Sequence, residues 1–147
     1  MVTGFNHSGF VVKDIDKMVE FYRDALGLTV MREVNSVAPP EGDHTGIPGA
    51  RRTLVFVGKA DSEHVLELVH FDDPPSPEGE RPRNNHLGAA HVCFNVDDRE
   101  KLHRELTARG IEFVTPPKFR ELPDGGRHGI CYARDPEGNY LEFIQAG

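Results

Sequence analysis

Apolar positions along the chain change period several times, and each change marks an element. Phe5 to Val12, which ends in the apolar run Phe10 to Val12, reads as a strand. From Asp14 the period lengthens. Ile15, Met18, Phe21 or Tyr22, and Ala25 recur on one helical face, with Asp14 as the cap before it and Gly27 as the stop after it. Leu28 to Asn35 reads as extended, and Ser36 to Ala50, broken by prolines and glycines, as a long loop. Arg52 to Gly58 and His64 to Phe71 flank a short polar connection and predict a hairpin. The segment DDPPSPEGERPRNNHLG is poor in apolar residues and predicts a linker.

The same succession then recurs. Ala89 to Val96 predicts a strand, Asp98 a cap, Leu102 and Leu106 a helix face, and Gly110 its end. Ile111 to Val114 predicts a short strand and residues 115–129 a loop. Ile130 to Arg134 and Asn139 to Gln145 flank the turn signal DPEG. Each half is therefore β-α-β-β-β, and the repeat is visible residue by residue. His7 and His91 stand 84 positions apart, as do Phe10 and Phe94, Val12 and Val96, and Asp14 and Asp98. Near the end of each half VLELV matches YLEFI, which pairs Glu67 with Glu142. The expected organisation is a single α+β domain over 1–147, with module one at 1–72, a linker at 73–88 and module two at 89–147.

Strand alternation separates the chemistry from the packing. Phe10 and Val12 belong under the first helix, so His7 is sent to the opposite face. Val92, Phe94 and Val96 do the same for His91, with Cys93 and Asn95 beside it. Leu66 and Leu68 leave Glu67 on the other face, as Leu141 and Phe143 leave Glu142. A carboxylate inside an apolar strand is costly to bury unless it is paired or bound to a metal. The exception occurs twice, at positions related by the repeat. Two imidazoles and two carboxylates make a donor set for one divalent ion, Ni, Co, Zn, Mn or Fe, without selecting among them. Six-coordination would leave two positions for water or for a substrate that chelates through two oxygens. Singly, either glutamate could instead pair with Arg52 or another arginine. His44 and His128 are placed in loops beside the site, Tyr132 and Asn95 on its wall, and His64, His70, His86 and His103 at structural or solvent-facing positions.

A net charge of -7 disfavours nucleic acid and anionic membrane surfaces as partners. There is no apolar run long enough for a bilayer and no signal-peptide pattern at the start, so the expected setting is cytoplasmic. Cys93 and Cys131 are the only cysteines, and nothing in such a setting demands that they pair. No Ser-His-Asp, Cys-His or phosphate-loop pattern has support in the sequence.

The phrases NHSGFVVKDIDKMVEFYRDALGL, GIPGARRTLVFV, LELVHF, HLGAAHVCFNVDD and ARDPEGNYLEFIQ cover most of the chain. Together they resemble the vicinal oxygen chelate superfamily of glyoxalases, bleomycin-resistance proteins and dioxygenases. The resemblance implies paired modules curling into an eight-stranded mixed-sheet cup. It implies His7, Glu67, His91 and Glu142 as metal ligands, a homodimer, and a site within one chain or shared between two. It further implies a lyase or isomerase that works through an enediolate or enolate on a small molecule, with Glu142 or Glu67 as the base. The donor set is most similar to glyoxalase I of the nickel or cobalt type. Val11 stands where bacterial glyoxalase I often carries arginine, and the 36–50 loop is more like that of methylmalonyl-CoA epimerases and dioxygenases. An epimerase, an iron-dependent extradiol dioxygenase and a metal-independent ligand-binding resistance protein are the alternatives.

Overall fold

The computed structural model describes residues 1–123, 125 and 127–146, leaving aside the side chains of residues 127, 128 and 146. The chain forms two compact units, Met1–Gly79 and Glu80–Gly147. In the first, β1 (His7–Val12) leads into α1 (Ile15–Glu20), which continues as a π-helical turn over Phe21–Ala25. Then follow β2 (Thr29–Val37), β3 (Arg51–Gly58) and β4 (Val65–Asp73). In the second, β5 (His91–Asn95), α2 (Arg99–Ala108), β6 (Lys118–Glu121), β7 (Arg127–Arg134) and β8 (Tyr140–Ala146) repeat the plan.

Each unit holds a four-stranded mixed sheet, in the order β1-β4-β3-β2 and β5-β8-β7-β6. The first and last strands of each half run parallel and the remaining pairs antiparallel. Neither sheet closes on itself.

Both helices start as their sequences dictate. The Asp14 carboxylate accepts from the Lys17 amide and the Asp98 carboxylate from the Lys101 amide. Past the helices, Gly27 and Gly110 adopt φ of 67° and 81°, which a side chain would resist. The helix-facing side of each sheet is the core. In the first unit Val12, Val55, Val57, Leu66 and Leu68 pack with Met18 and Tyr22. In the second, Cys131, Ala133, Leu141 and Phe143 pack with Leu106. Each fully buried Leu or Val contributes about 2 kcal/mol by leaving water. Among the described residues no helix is long and apolar enough to cross a membrane.

The observed strands depart from the sequence reading in the second half, where β7 starts at Arg127, inside the expected loop, and the strand before it is displaced. Ile111 to Val114 is not a strand but a single bridge, Phe113 to Ala133. The Phe113 ring serves as core filler, 4.4 Å from the His103 ring centroid and 6.5 Å from that of Phe143. The strand lies later, at β6, within the expected loop. All four residues of β6 are exposed, so no alternation of burial marked it in the sequence.

Candidate metal centre

The two histidine–glutamate pairs arise from the same register. On β1 and β4, Gly9 lies opposite Glu67, so the glutamate is level with the residue two past His7. On β5 and β8, Cys93 lies opposite Glu142, again two past the histidine. The side chains meet accordingly. His7 Nε2 is 3.4 Å from Glu67 Oε2, and His91 Nε2 is 3.1 Å from Glu142 Oε2. Exposure is also matched: the rings are 39% and 41% exposed and the carboxylates 16% and 14%. Each pair is thus a sheltered carboxylate opened to solvent through its imidazole.

An aromatic ring completes each pair. His7 meets Phe56 edge-on, with centroids 5.7 Å apart, and His91 meets Tyr132 edge-on at 5.3 Å. Phe56 is opposite Glu67 across β3–β4, and Tyr132 is opposite Glu142 across β7–β8. Arg32, opposite Phe56 on β2, lays its guanidinium 4.2 Å from the Phe56 centroid and brings a positive charge to the same face. On the other side of His7, Nδ1 is 2.7 Å from Asn6 Oδ1. With Asn6 Oδ1 accepting from Nδ1, that contact orients the ring with Nε2 toward Glu67.

The donors suit a divalent first-row ion. Ligands about 2.1 Å from an ion and adjacent to each other stand roughly 3.0 Å apart in octahedral and 3.4 Å in tetrahedral geometry. Both pair separations fall at these values. Among the described residues, no three His, Cys, Asp or Glu side chains gather closely enough to hold an ion by themselves. Each unit brings two of the four expected ligands together.

The neighbours of Glu142 are polar. Burial, followed by the hydrogen bond to Glu142 and its negative charge, raises the Tyr132 hydroxyl above its ordinary value. Burial, with the Glu142 charge and hydrogen bond added, pushes the Cys93 thiol up to about 11. Cys131, on the helix side of the same sheet, is pushed up to about 11 by burial and the Glu142 charge, against the opposing pull of Arg99. Both cysteines are free thiols.

The remaining expectations resolve individually. Arg52 pairs with Asp43 and Ser36, not with either glutamate. His44 is an exposed loop residue 3.8 Å from Asp43. The backbone of His128 lies in β7 instead of a loop, and its side chain lies outside the described residues. His64 bonds Ser8 at 3.0 Å, His70 contacts the Val12 carbonyl at 3.3 Å, His86 accepts from the Arg83 amide at 3.4 Å, and His103 packs on Phe113. Asn6 and Phe56 escaped the sequence reading. Asn6 directly precedes His7, and Phe56 is related to Tyr132 by the repeat, so each had a signal.

The family model described as "Glyoxalase/Bleomycin resistance protein/Dioxygenase superfamily" matches residues 4–143. A Saccharomyces cerevisiae protein named glyoxalase I is 28% identical over 97% of this chain, which spans only 43% of that relative. A Pseudomonas aeruginosa protein named lactoylglutathione lyase is 26% identical over 97% of this chain and 82% of its own length. Among solved structures, a Bacillus cereus glyoxalase family protein superposes with a TM-score of 0.86 at 23% identity, covering 99% of this chain and 95% of that one.

Proposed function

The chain belongs to the Glyoxalase/Bleomycin resistance protein/Dioxygenase superfamily, and on that footing we propose that it is a divalent-metal-dependent lyase or isomerase. Its substrate is a small molecule presenting two adjacent oxygens, and His7, Glu67, His91 and Glu142 are the ligands. They act within one chain or between two copies of a homodimer. The observation that supports this reading is the repeated imidazole–carboxylate pair, at 3.4 and 3.1 Å, built from one register in both halves. Names of relatives, glyoxalase I and lactoylglutathione lyase, point the same way.

A bound divalent ion supplies Lewis-acid polarisation of a substrate carbonyl. The chain supplies the proton transfer. A carboxylate, Glu142 or Glu67, takes the proton from the carbon next to that carbonyl and holds it on an oxygen. Return to the neighbouring carbon isomerises the substrate, and return to the opposite face of the same carbon epimerises it. The half-exposed histidine rings leave each carboxylate reachable from solvent.

The test uses chelator-stripped protein reloaded separately with Ni, Co, Zn, Mn or Fe and offered the thiohemiacetal of a 2-oxoaldehyde and glutathione. Thioester formation should vanish on stripping and return with at least one ion. Glu142→Gln should keep the fold and lower turnover about 100-fold or more. Full activity in rigorously metal-free protein would overturn the reading. Solvent exchange of a substrate α-proton without isomerisation would assign an epimerase. Oxygen-dependent ring cleavage, or tight ligand binding indifferent to metal, would assign the other branches.

A further inference from the structure

The first half carries a positive charge that the repeat does not copy. On the face that holds His7, one row crosses the sheet: Gly9 on β1, Glu67 on β4, Phe56 on β3 and Arg32 on β2. The Arg32 guanidinium lies 4.2 Å from the Phe56 centroid, and the His7 ring meets the same phenyl at 5.7 Å. Between them they cover Phe56, which is 7% exposed. The guanidinium is therefore held along the row, on the side of the histidine–glutamate pair. The chain has 24 acidic and 17 basic residues. Even so, among the described residues Arg32 makes no hydrogen bond or ion pair. Its neighbour Glu33 lies opposite Val55, on the helix side of the sheet, and Glu67 faces His7 at 3.4 Å. In the second half the corresponding place, level with Tyr132 and two before Lys118, is Pro116.

We infer that Arg32 is a specificity-determining residue that takes an anionic limb, carboxylate or phosphate, of a substrate whose two adjacent oxygens are chelated beside His7 and Glu67. The inference rests on the metal reading above and names the class of substrate within it. β4 and β2 are two strand spacings apart, so the anionic group and the chelating oxygens stand within about 10 Å of each other. Two ligating carboxylates cancel the charge of a divalent ion, so the four donors alone give a distant anion no advantage. The uncommitted positive charge in this row is that of Arg32. Its planar fork binds two oxygens of a carboxylate or phosphate side by side. The Phe56 ring holds the guanidinium in place before a ligand arrives, which lessens the freedom lost on binding. A neutral molecule of the same shape gains nothing from it.

Hydroxamates test this, because they chelate through two adjacent oxygens and carry a chain of chosen length. The probes are suberic monohydroxamate, whose chain spans the required distance, its phosphonate counterpart and its neutral primary amide. Each is titrated by calorimetry into protein stripped of metal and into protein reloaded with Ni²⁺ or Zn²⁺. On the loaded protein one of the acids should bind about 10-fold or more tightly than the amide. That excess should shrink with added salt, and the tighter acid names the anionic group. Arg32→Gln should erase the excess and leave the affinity for the amide unchanged. Arg32→Lys, which keeps the charge without the fork, should retain part of it. Because Arg32 is exposed, unfolding midpoints should stay close to that of the wild type. Equal affinity of the wild type for acids and amide, or an excess that survives Arg32→Gln, overturns the inference while metal-dependent binding of the amide still upholds the chelating site. An amide that binds loaded and stripped protein alike overturns the metal reading, and the inference with it.

Discussion

In the first half the buried arginine belongs to a strand, and in the second to a helix. Arg52 on β3 reaches Asp43 and Ser36 and braces the 38–50 loop against its own sheet. Arg99 opens α2 and is fully buried; its Nη1 donates to the Lys118 carbonyl at 3.1 Å and its guanidinium lies 3.9 Å from the Phe119 centroid. The repeat explains why Arg99 has room. Asp14 and Asp98 are equivalent caps, so Arg99 occupies the position of Ile15. Phe56 and Tyr132 are equivalent, so Gly129 occupies the position of Thr53. A Cβ at Gly129 would overlap the Arg99 guanidinium. The first half carries Ile15 with Thr53, the second Arg99 with Gly129. Large and small have been exchanged as a set. The inner strands keep their chemistry, while the supports beneath the outer hairpins have diverged.

The strongest way to break this comparison is Gly129→Ala. Crowding a buried guanidinium should cost about 3 kcal/mol or more in chemical unfolding. Arg99→Ile combined with Gly129→Thr rebuilds the pairing of the first half and should be much more stable than Gly129→Thr alone. Additive effects would mean that the two positions are independent.

Smaller effects are expected at the other brace, and acid exposes them. Hydrogen bonds from the Thr45 hydroxyl and amide, with Arg52 and His44 adding to them, hold the Asp43 carboxyl down at about 2. An aspartate in the unfolded chain titrates near 3.9. The stabilisation from a depressed carboxyl is therefore complete above roughly pH 4 and is lost as pH falls toward 2. Asp43→Asn should flatten this part of the stability profile and leave the order of the Gly129 variants unchanged. An unaltered acid limb would remove Asp43 from the account.

The smallest difference is expected where the halves are alike. Asp14→Ala and Asp98→Ala each remove a cap accepting from the third residue beyond it, at 3.0 and 2.8 Å. Each should cost about 1 kcal/mol. A large disparity in denaturant midpoints would show that the helices are not equivalently supported.

What could be read from the sequence was what the repeat states twice. The caps, the terminating glycines and the positions of His7, Glu67, His91 and Glu142 each recur in register, so local chemistry and periodicity agreed. Features that occur once stayed hidden. β6 follows Pro116 and Pro117 and exposes every residue, leaving no pattern to detect. Arg99 follows a cap and looks like any solvated charge; only Gly129, thirty positions on, gives it space. Asp43 sits in a loop rich in glycine and proline, and nothing local tied it to Arg52. The pairing of the loop with the strand is long-range information.

One consequence concerns the two thiols. Cys93 is exposed on the face that carries His91, whereas Cys131 is 2% exposed on the opposite face of the same sheet. The sheet itself keeps the sulfurs apart, so the folded chain offers one of them to an alkylating reagent and the unfolded chain offers both. Counting labels per molecule by mass therefore gives a built-in gauge of how often the second half opens, without any engineered probe.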